Sequence, residues 1–194
     1  MEKIKSFTVD HTKLLPGVYL SREDAAGGQP VTTYDIRLTR PNFEPVMGTG
    51  EIHTIEHIGA TYLRNRADVK DRVIYWGPMG CRTGFYLILA GAPALPEVER
   101  LMRDLFAFTA AFEGAIPGAT PVECGNYSDM DLPAAKARAA KYGAILEAEK
   151  AAEKEALNKE VGQLSNSNEY HPIQDDLKEE QQIEEMKINP QVGP

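Results

Sequence analysis

The sequence feature that most constrains this chain is the stretch Thr49–Asn65, which has the pattern of an amphipathic helix. At about 100° per residue, its apolar residues gather on one face, and His53, Glu56 and His57 fill the neighbouring sector. Histidines at i and i+4 project the same way and can bind one metal ion, while a Glu at i+3 lies close by without being a ligand. The His-x-x-Glu-His string therefore predicts a metal site. The alternative is two surface histidines beside a solvated carboxylate.

The remaining strand and helix patterns alternate without a βαβ rhythm. This predicts an α+β fold in which a mixed or antiparallel sheet packs against helices. Period-two patterns predict the strands, and apolar spacing of three to four residues predicts the helices. The predicted elements other than 49–65 cover residues 5–9, 31–40, 72–76, 84–90, 96–112 and 132 to beyond 146.

Three local details are also predicted. Asp35 and Arg37 fall on the polar face of the half-buried strand 31–40. The strand 84–90 is apolar throughout, so we expect it to be buried on both faces. Thr49 is the expected N-cap of the motif helix.

Most of the negative charge lies in the last quarter of the chain. Residues 147–194 hold 12 acidic and 5 basic residues, against a net charge of −8 for the whole sequence. We predict a folded domain over 1–146 and a polar tail over 147–194, helical to about residue 160 and disordered beyond it. The nearly neutral domain has no basic stripe, which argues against nucleic acid as a partner.

No run of about 18 apolar residues predicts a membrane helix. The N-terminus also lacks the apolar core of a signal peptide. We therefore expect a cytoplasmic protein. In such a compartment Cys81 and Cys124 are read as free thiols, metal ligands or catalysts.

A catalytic zinc-type site needs three protein ligands and an open fourth position. His53 and His57 supply two, and Cys124, which is followed by a glycine, is the candidate third. The alternative for Cys124 is a small buried apolar residue. Cys81 is either a core cysteine in a turn or an acid–base thiol that neighbouring glycines expose and a nearby cation activates.

Several blocks of the sequence resemble the signature blocks of S-ribosylhomocysteine lyase, the LuxS family, in the same order. The similarity spans about residues 5–146, so it makes 1–146 the catalytic domain and leaves the tail outside. The matching blocks are Ser6-Phe7 with Asp10-His11, Tyr34–Arg37, His53–His57, Gly77–Tyr86, Ile116–Ala119 and Cys124–Asn126.

The resemblance implies a small α+β homodimer with its active sites near the subunit interface. It also implies one divalent metal per subunit, Fe²⁺ in the cell, for which Zn²⁺ or Co²⁺ can substitute. Arg64 is added as a substrate contact from its place on the helix face that carries His57. The implied roles are metal ligand for His53, His57 and Cys124, proton transfer for Glu56 and Cys81, and substrate contact for Ser6, His11 and Arg37.

The reaction of that family cleaves S-ribosylhomocysteine to homocysteine and 4,5-dihydroxy-2,3-pentanedione, the precursor of autoinducer-2. A thioether sulfur leaves readily only when a carbonyl two carbons away stabilises the carbanion. Two enolisations must therefore move the carbonyl along the sugar before β-elimination. A Lewis-acid metal and two bases, Glu56 and Cys81, suit these steps.

Two alternatives use the same motif: a metallopeptidase of the inverted-zincin type and a metal-binding module without catalysis. The chain also departs from the common family pattern at Tyr75-Trp76-Gly77 and at Ile58-Gly59-Ala60. A glycine inside a helix costs about 1 kcal/mol relative to alanine unless packing requires it. Both departures leave the candidate ligands in place and bear instead on contacts at the homocysteine end of the substrate.

Overall fold

The computed structural model describes residues 8–165 of the chain. Its sheet has four antiparallel strands in the order β1-β2-β4-β3, which confirms the predicted α+β class. Ser6 and most of the predicted strand 5–9 lie outside the described residues. The elements are β1 (Gly17–Ala26), β2 (Gln29–Arg37), α1 (Thr49–Asn65), β3 (Val73–Pro78), β4 (Gly84–Ala90), α2 (Leu95–Ala111) and α3 (Leu132–Ser165), with a 3₁₀ turn at Lys70–Arg72.

The strand β1 is the element that the sequence analysis missed. Among the described strands it pairs only with β2, most of it is exposed, and its register shifts between Leu20 and Arg22. An exposed edge strand has little need of an alternating apolar pattern, and charged residues and bulges are common there. Its sequence therefore gives no periodic signal.

The helices cover one face of the sheet. Trp76 and Phe85 stack with ring centroids 4.6 Å apart, and Phe106 meets Tyr142 edge to face at 4.7 Å. The Tyr142 hydroxyl donates a 2.7 Å hydrogen bond to the carbonyl of Gly17, which joins α3 to the start of β1. One apolar core thus holds the sheet and all three helices together within Met1–Lys150.

Two of the local predictions are wrong. In β4 the side chains of Phe85, Leu87 and Leu89 are buried, but the alternate residues are only partly covered, because the described helices pack on the other face of the sheet. The N-cap of α1 is Gly48 rather than Thr49. The Glu51 carboxylate accepts the Gly48 backbone N–H at 2.9 Å and satisfies this end of the helix.

The helix α3 continues past the predicted domain boundary. By its internal contacts the chain divides into Met1–Lys150 and Ala151–Pro194. In the second unit the described residues, 151–165, are helical, and Lys159 pairs with Glu155 at 2.7 Å. The helix thus extends a few residues into the stretch predicted to be disordered, and the rest of that stretch lies outside the described residues. No described helix is long and apolar enough to cross a membrane.

Candidate metal centre

The two histidines of α1 lie side by side, one helical turn apart. Their ring centroids are 4.7 Å apart, and both side chains are half-buried. The apolar face of the same helix packs into the core, with Ile55 and Ile58 fully buried. Burial of that face fixes the rotation of α1, and this rotation turns His53 and His57 toward the loop that follows α2.

That loop is fastened to α1 by hydrogen bonds. The Asp131 backbone N–H lies 3.1 Å from the Gly50 carbonyl and 2.9 Å from the Thr54 hydroxyl. Within the loop, a turn closes where the Cys124 N–H donates to the Thr120 carbonyl at 3.0 Å. Cys124 is thereby held beside the helix, and its Sγ lies 3.4 Å from Nε2 of His53.

His53, His57 and Cys124 form one cluster whose possible ligand atoms all lie within 4.8 Å of one another. Nδ1 of His53 is 2.9 Å from the carbonyl oxygen of Asp129, and Nδ1 of His57 is 2.7 Å from that of Pro117. Because a carbonyl can only accept, each Nδ1 carries the hydrogen and each Nε2 keeps its lone pair.

The backbone around the cluster supports the same arrangement. Gly118 has a φ of +68°, and a Cβ there would lie 3.2 Å from Nδ1 of His57, so a larger residue would crowd the ring. The Asn126 N–H donates to Sγ of Cys124 at 3.5 Å. Two oriented imidazole nitrogens and one sulfur fit the three-ligand set of a catalytic zinc-type site.

A second cluster surrounds Cys81 in the turn between β3 and β4. Arg37 is 2% exposed, contrary to the expectation for a half-buried strand, and Asp35 accepts hydrogen bonds from its Nε and Nη2. Arg37 Nη1 lies 3.9 Å from Sγ of Cys81 and donates to Oγ1 of Thr83. The Thr83 oxygen is 3.0 Å from the same sulfur.

These contacts change the acidity of both groups. Partial burial by itself raises the pKa of Cys81, but the hydrogen bonds from Thr83 and the charge of Arg37 outweigh it, so the pKa of the thiol lies below its ordinary value. For Asp35, burial is the largest effect and raises its pKa despite the hydrogen bonds from Arg37. The thiol of Cys81 is thus prepared to ionise.

The other predicted site residues lie in different surroundings. Glu56 is half-buried on α1 between the two histidines. His11 donates from Nδ1 to the Val9 carbonyl at 2.9 Å and interacts electrostatically with Asp35. Arg64 donates to the carbonyls of Val73, at 3.0 Å, and Ile74, at 3.3 Å, which joins α1 to β3. The substrate contacts of His11 and Arg64 stay predictions.

Sequence reasoning missed Thr83 and the two carbonyls that orient the histidines. Nothing in the sequence indicates the carbonyls of Pro117 and Asp129, since every residue carries a backbone carbonyl. Thr83 had a weak signal, because it follows Cys81 by two residues in a glycine-bounded turn. Hydroxyl residues at such spacings commonly hydrogen-bond locally.

Fold and site together define an α+β protein with a two-histidine, one-cysteine cluster of the kind used by catalytic metal sites. The family model described as S-ribosylhomocysteinase (LuxS) matches residues 4–155. The chain belongs to this family, which confirms the resemblance found in the sequence.

Curated relatives agree with this assignment. The S-ribosylhomocysteine lyase of Clostridium beijerinckii is 57% identical over 142 residues, which cover 73% of this chain and 89% of the relative. The protein of that name from Clostridium acetobutylicum is 54% identical over 147 residues, covering 76% and 93%. The one from Desulfotalea psychrophila is 57% identical over 142 residues, covering 73% and 89%.

Proposed function

We propose that this protein is a lyase that cleaves S-ribosylhomocysteine to homocysteine and 4,5-dihydroxy-2,3-pentanedione, the autoinducer-2 precursor. The observation that carries the proposal is the convergence of His53, His57 and Cys124 in a member of this family. The two products together contain every atom of the substrate. The reaction therefore needs only proton transfers and the breaking of one C–S bond.

Residues His53, His57 and Cys124 would hold the metal, with Fe²⁺ as the proposed ion and Zn²⁺ or Co²⁺ as substitutes. When bound, such an ion supplies Lewis-acid polarisation of a carbonyl oxygen, which acidifies the neighbouring carbon. The hydrogen bonds from the two Nδ1 atoms hold the imidazole rings in the required orientation.

Glu56 and Cys81 are the proposed proton-transfer groups. Each enolisation removes a proton from a carbon beside a carbonyl and returns one to the adjacent position. In the elimination, a base takes the proton next to the carbonyl at C3, the C–S electron pair leaves with sulfur, and homocysteine is protonated. The lowered pKa of Cys81 supports its role, because a thiolate is needed to accept a proton.

Ser6, His11, Arg37 and Arg64 would contact the substrate. The chain would act in the cytoplasm as a homodimer with its two sites near the subunit interface. Residues 1–146 would form the catalytic domain, and the tail 147–194 would be a dispensable, solubilising extension.

The test is an assay of the purified full-length chain with S-ribosylhomocysteine. Released homocysteine is measured by mass spectrometry, and bound metal is measured on the same sample. We expect Glu56→Ala and Cys81→Ala each to keep the metal and lose turnover. Glu23→Ala, which removes an exposed carboxylate of β1, is the matched control and keeps both.

Absence of homocysteine release from metal-loaded wild type would refute the lyase proposal and favour a metal-binding module. Casein cleavage by that sample would instead favour a peptidase. Near-normal activity in both Glu56→Ala and Cys81→Ala would refute the assigned roles while leaving the reaction itself in place.

A further inference from the structure

The backbone of Thr83 is fixed where the turn before β4 meets the end of β2. Its carbonyl accepts hydrogen bonds from the N–H groups of Leu38, at 3.0 Å, and Thr39, at 3.1 Å. The preceding Arg82 adopts a left-handed φ of +58°, and its N–H donates to the Met79 carbonyl at 2.9 Å. Thr83 is only 4% exposed, so its hydroxyl is shielded from solvent.

The contacts of the Thr83 hydroxyl limit where its hydrogen can point. Among the described residues, Oγ1 has two side-chain partners, Nη1 of Arg37 and Sγ of Cys81 at 3.0 Å. A guanidinium carries only donors, so Arg37 donates to Oγ1 and cannot accept from it. A thiolate at Cys81 has no hydrogen to donate, so in the ionised form the Thr83 hydroxyl donates its hydrogen to the sulfur.

Arg37 is held in turn by Asp35. The carboxylate accepts from Nε, at 3.1 Å, and from Nη2, which leaves Nη1 directed at the turn. Because this pairing is bidentate, it fixes the plane of the guanidinium as well as its position. The side chains therefore form a directed series from Asp35 through Arg37 and Thr83 to Cys81.

We propose that Thr83 is a positioning residue of this enzyme, whose hydroxyl, held by Arg37, donates its hydrogen to the Cys81 sulfur and keeps it as a thiolate. The inference rests on the proposed function, in which Cys81 transfers protons. A thiolate accepts a hydrogen bond more strongly than a neutral thiol does, so a hydroxyl held beside the sulfur favours the ionised form. The Thr83 backbone N–H adds a second hydrogen bond to the same sulfur.

The other charged groups near the thiol do not replace this donor. Arg37 acts on the thiol through its charge, but its Nη1 is 3.9 Å from Sγ, farther than the hydroxyl oxygen at 3.0 Å. The titratable and charged groups around this turn are Arg37 and Asp35 of β2, Tyr86 of β4, Arg82 of the turn itself, and His11, which faces Asp35.

The experiment measures ionisation of Cys81 without relying on turnover. Metal-loaded, full-length protein is alkylated with iodoacetamide across a pH series, and the rate at the Cys81 peptide is read by mass spectrometry. We expect Thr83→Val to move the midpoint of the rate curve upward by about one pH unit, which lowers the thiolate fraction about tenfold below both midpoints. Thr83→Ser restores the hydroxyl and keeps the wild-type midpoint.

Thr39→Val is the matched control. It also removes a buried threonine hydroxyl beside this turn, but that hydroxyl has no hydrogen-bond partner among the described residues. Its curve should coincide with that of wild type. Thr83→Ala serves as a second test variant if Thr83→Val folds poorly by circular dichroism.

An upward shift in Thr83→Val or Thr83→Ala, absent in Thr83→Ser and Thr39→Val, supports the proposal. A matching shift in the acid limb of the kcat/KM profile extends it to the reaction. An unchanged alkylation midpoint in a folded Thr83→Val overturns it, even if wild type releases homocysteine. Failure of wild type to release homocysteine refutes the proposed function, whereas the alkylation curves still decide whether Thr83 ionises Cys81.

Discussion

A substitution of Gly59, in the middle of α1, can test whether the departures from the family pattern at 58–60 and 75–77 are packing adjustments. A Cβ on Gly59 would lie 2.5 Å from Nε1 and 2.8 Å from Cε2 of Trp76, closer than real side chains approach. Trp76 is 4% exposed and stacks on Phe85 with the ring planes 3° apart, so it has little room to withdraw. We therefore predict that Gly59→Ala destabilises the protein.

Two opposing effects determine how much Gly59→Ala changes the free energy of unfolding. Alanine gains about 1 kcal/mol over glycine in a helix interior. Overpacking a filled core costs about 1–3 kcal/mol. The net effect of Gly59→Ala is then a loss of up to about 2 kcal/mol in the free energy of unfolding.

A smaller ring at position 76 should reverse the sign of the effect that Gly59→Ala has on the free energy of unfolding. Phenylalanine lacks the atoms nearest Gly59, so in a Trp76→Phe background the helix gain remains and Gly59→Ala stabilises by up to about 1 kcal/mol. Trp76→Phe also removes an indole N–H that has no acceptor among the described residues, which offsets part of the packing loss. The coupling energy between the two sites falls in the range of about 0.5–3 kcal/mol expected for residues in contact.

The assay is urea unfolding of wild type, both single variants and the double variant, followed by far-UV circular dichroism. Protein concentration and metal content are held fixed, because any self-association and any bound metal would alter the apparent stability. Gly143→Ala in α3 is the matched control. A Cβ there has nothing within 4 Å, so this change should stabilise by about 1 kcal/mol in either background. If Gly59→Ala raises stability equally in both backgrounds, the packing argument is wrong.

Three further predictions follow from single contacts. Cys124→Ser should keep the fold and weaken Zn²⁺ binding by more than about tenfold in a chelator competition, and unchanged affinity would remove Cys124 from the ligand set. Glu51→Gln breaks the partly buried pair with Arg138 and weakens the N-cap contact, so urea unfolding should show a loss of about 1–3 kcal/mol. Lys141 and a backbone N–H lower the pKa of Glu44, so these contacts stabilise the folded state when Glu44 is ionised. This stabilisation is complete above about pH 4.5 and is lost as pH falls further. In unfolding curves taken from pH 6 to pH 3, Lys141→Met should therefore lose less stability than wild type as pH falls. The difference in the free energy of unfolding is less than about 1 kcal/mol.

The ligand cluster was predictable from sequence because its chemistry resides in side chains at fixed helical spacing. His53 and His57 are one turn apart on any regular helix, and Cys124 stood out because the chain has only two cysteines. The edge strand β1 gave no such signal, since exposure on most of its length removes the need for alternation. The burial of Arg37 was also hidden. It depends on contacts with Asp35, on the same strand, and with Thr83, in a turn 46 residues farther along the chain.

The departures at 58–60 and 75–77 meet in the packing of α1 against β3. Trp76 is a core residue that fills the space left by Gly59, so the glycine lets the helix lie close to β3 only two residues beyond His57. Farther along the helix, Arg64 joins α1 to the carbonyls of Val73 and Ile74 at the start of β3. Since the two candidate histidine ligands project from this helix, its distance from the sheet sets where they meet the loop that carries the cysteine. A bulkier residue at 59 must therefore be accompanied by a smaller one at 76 if the histidine positions are to be kept.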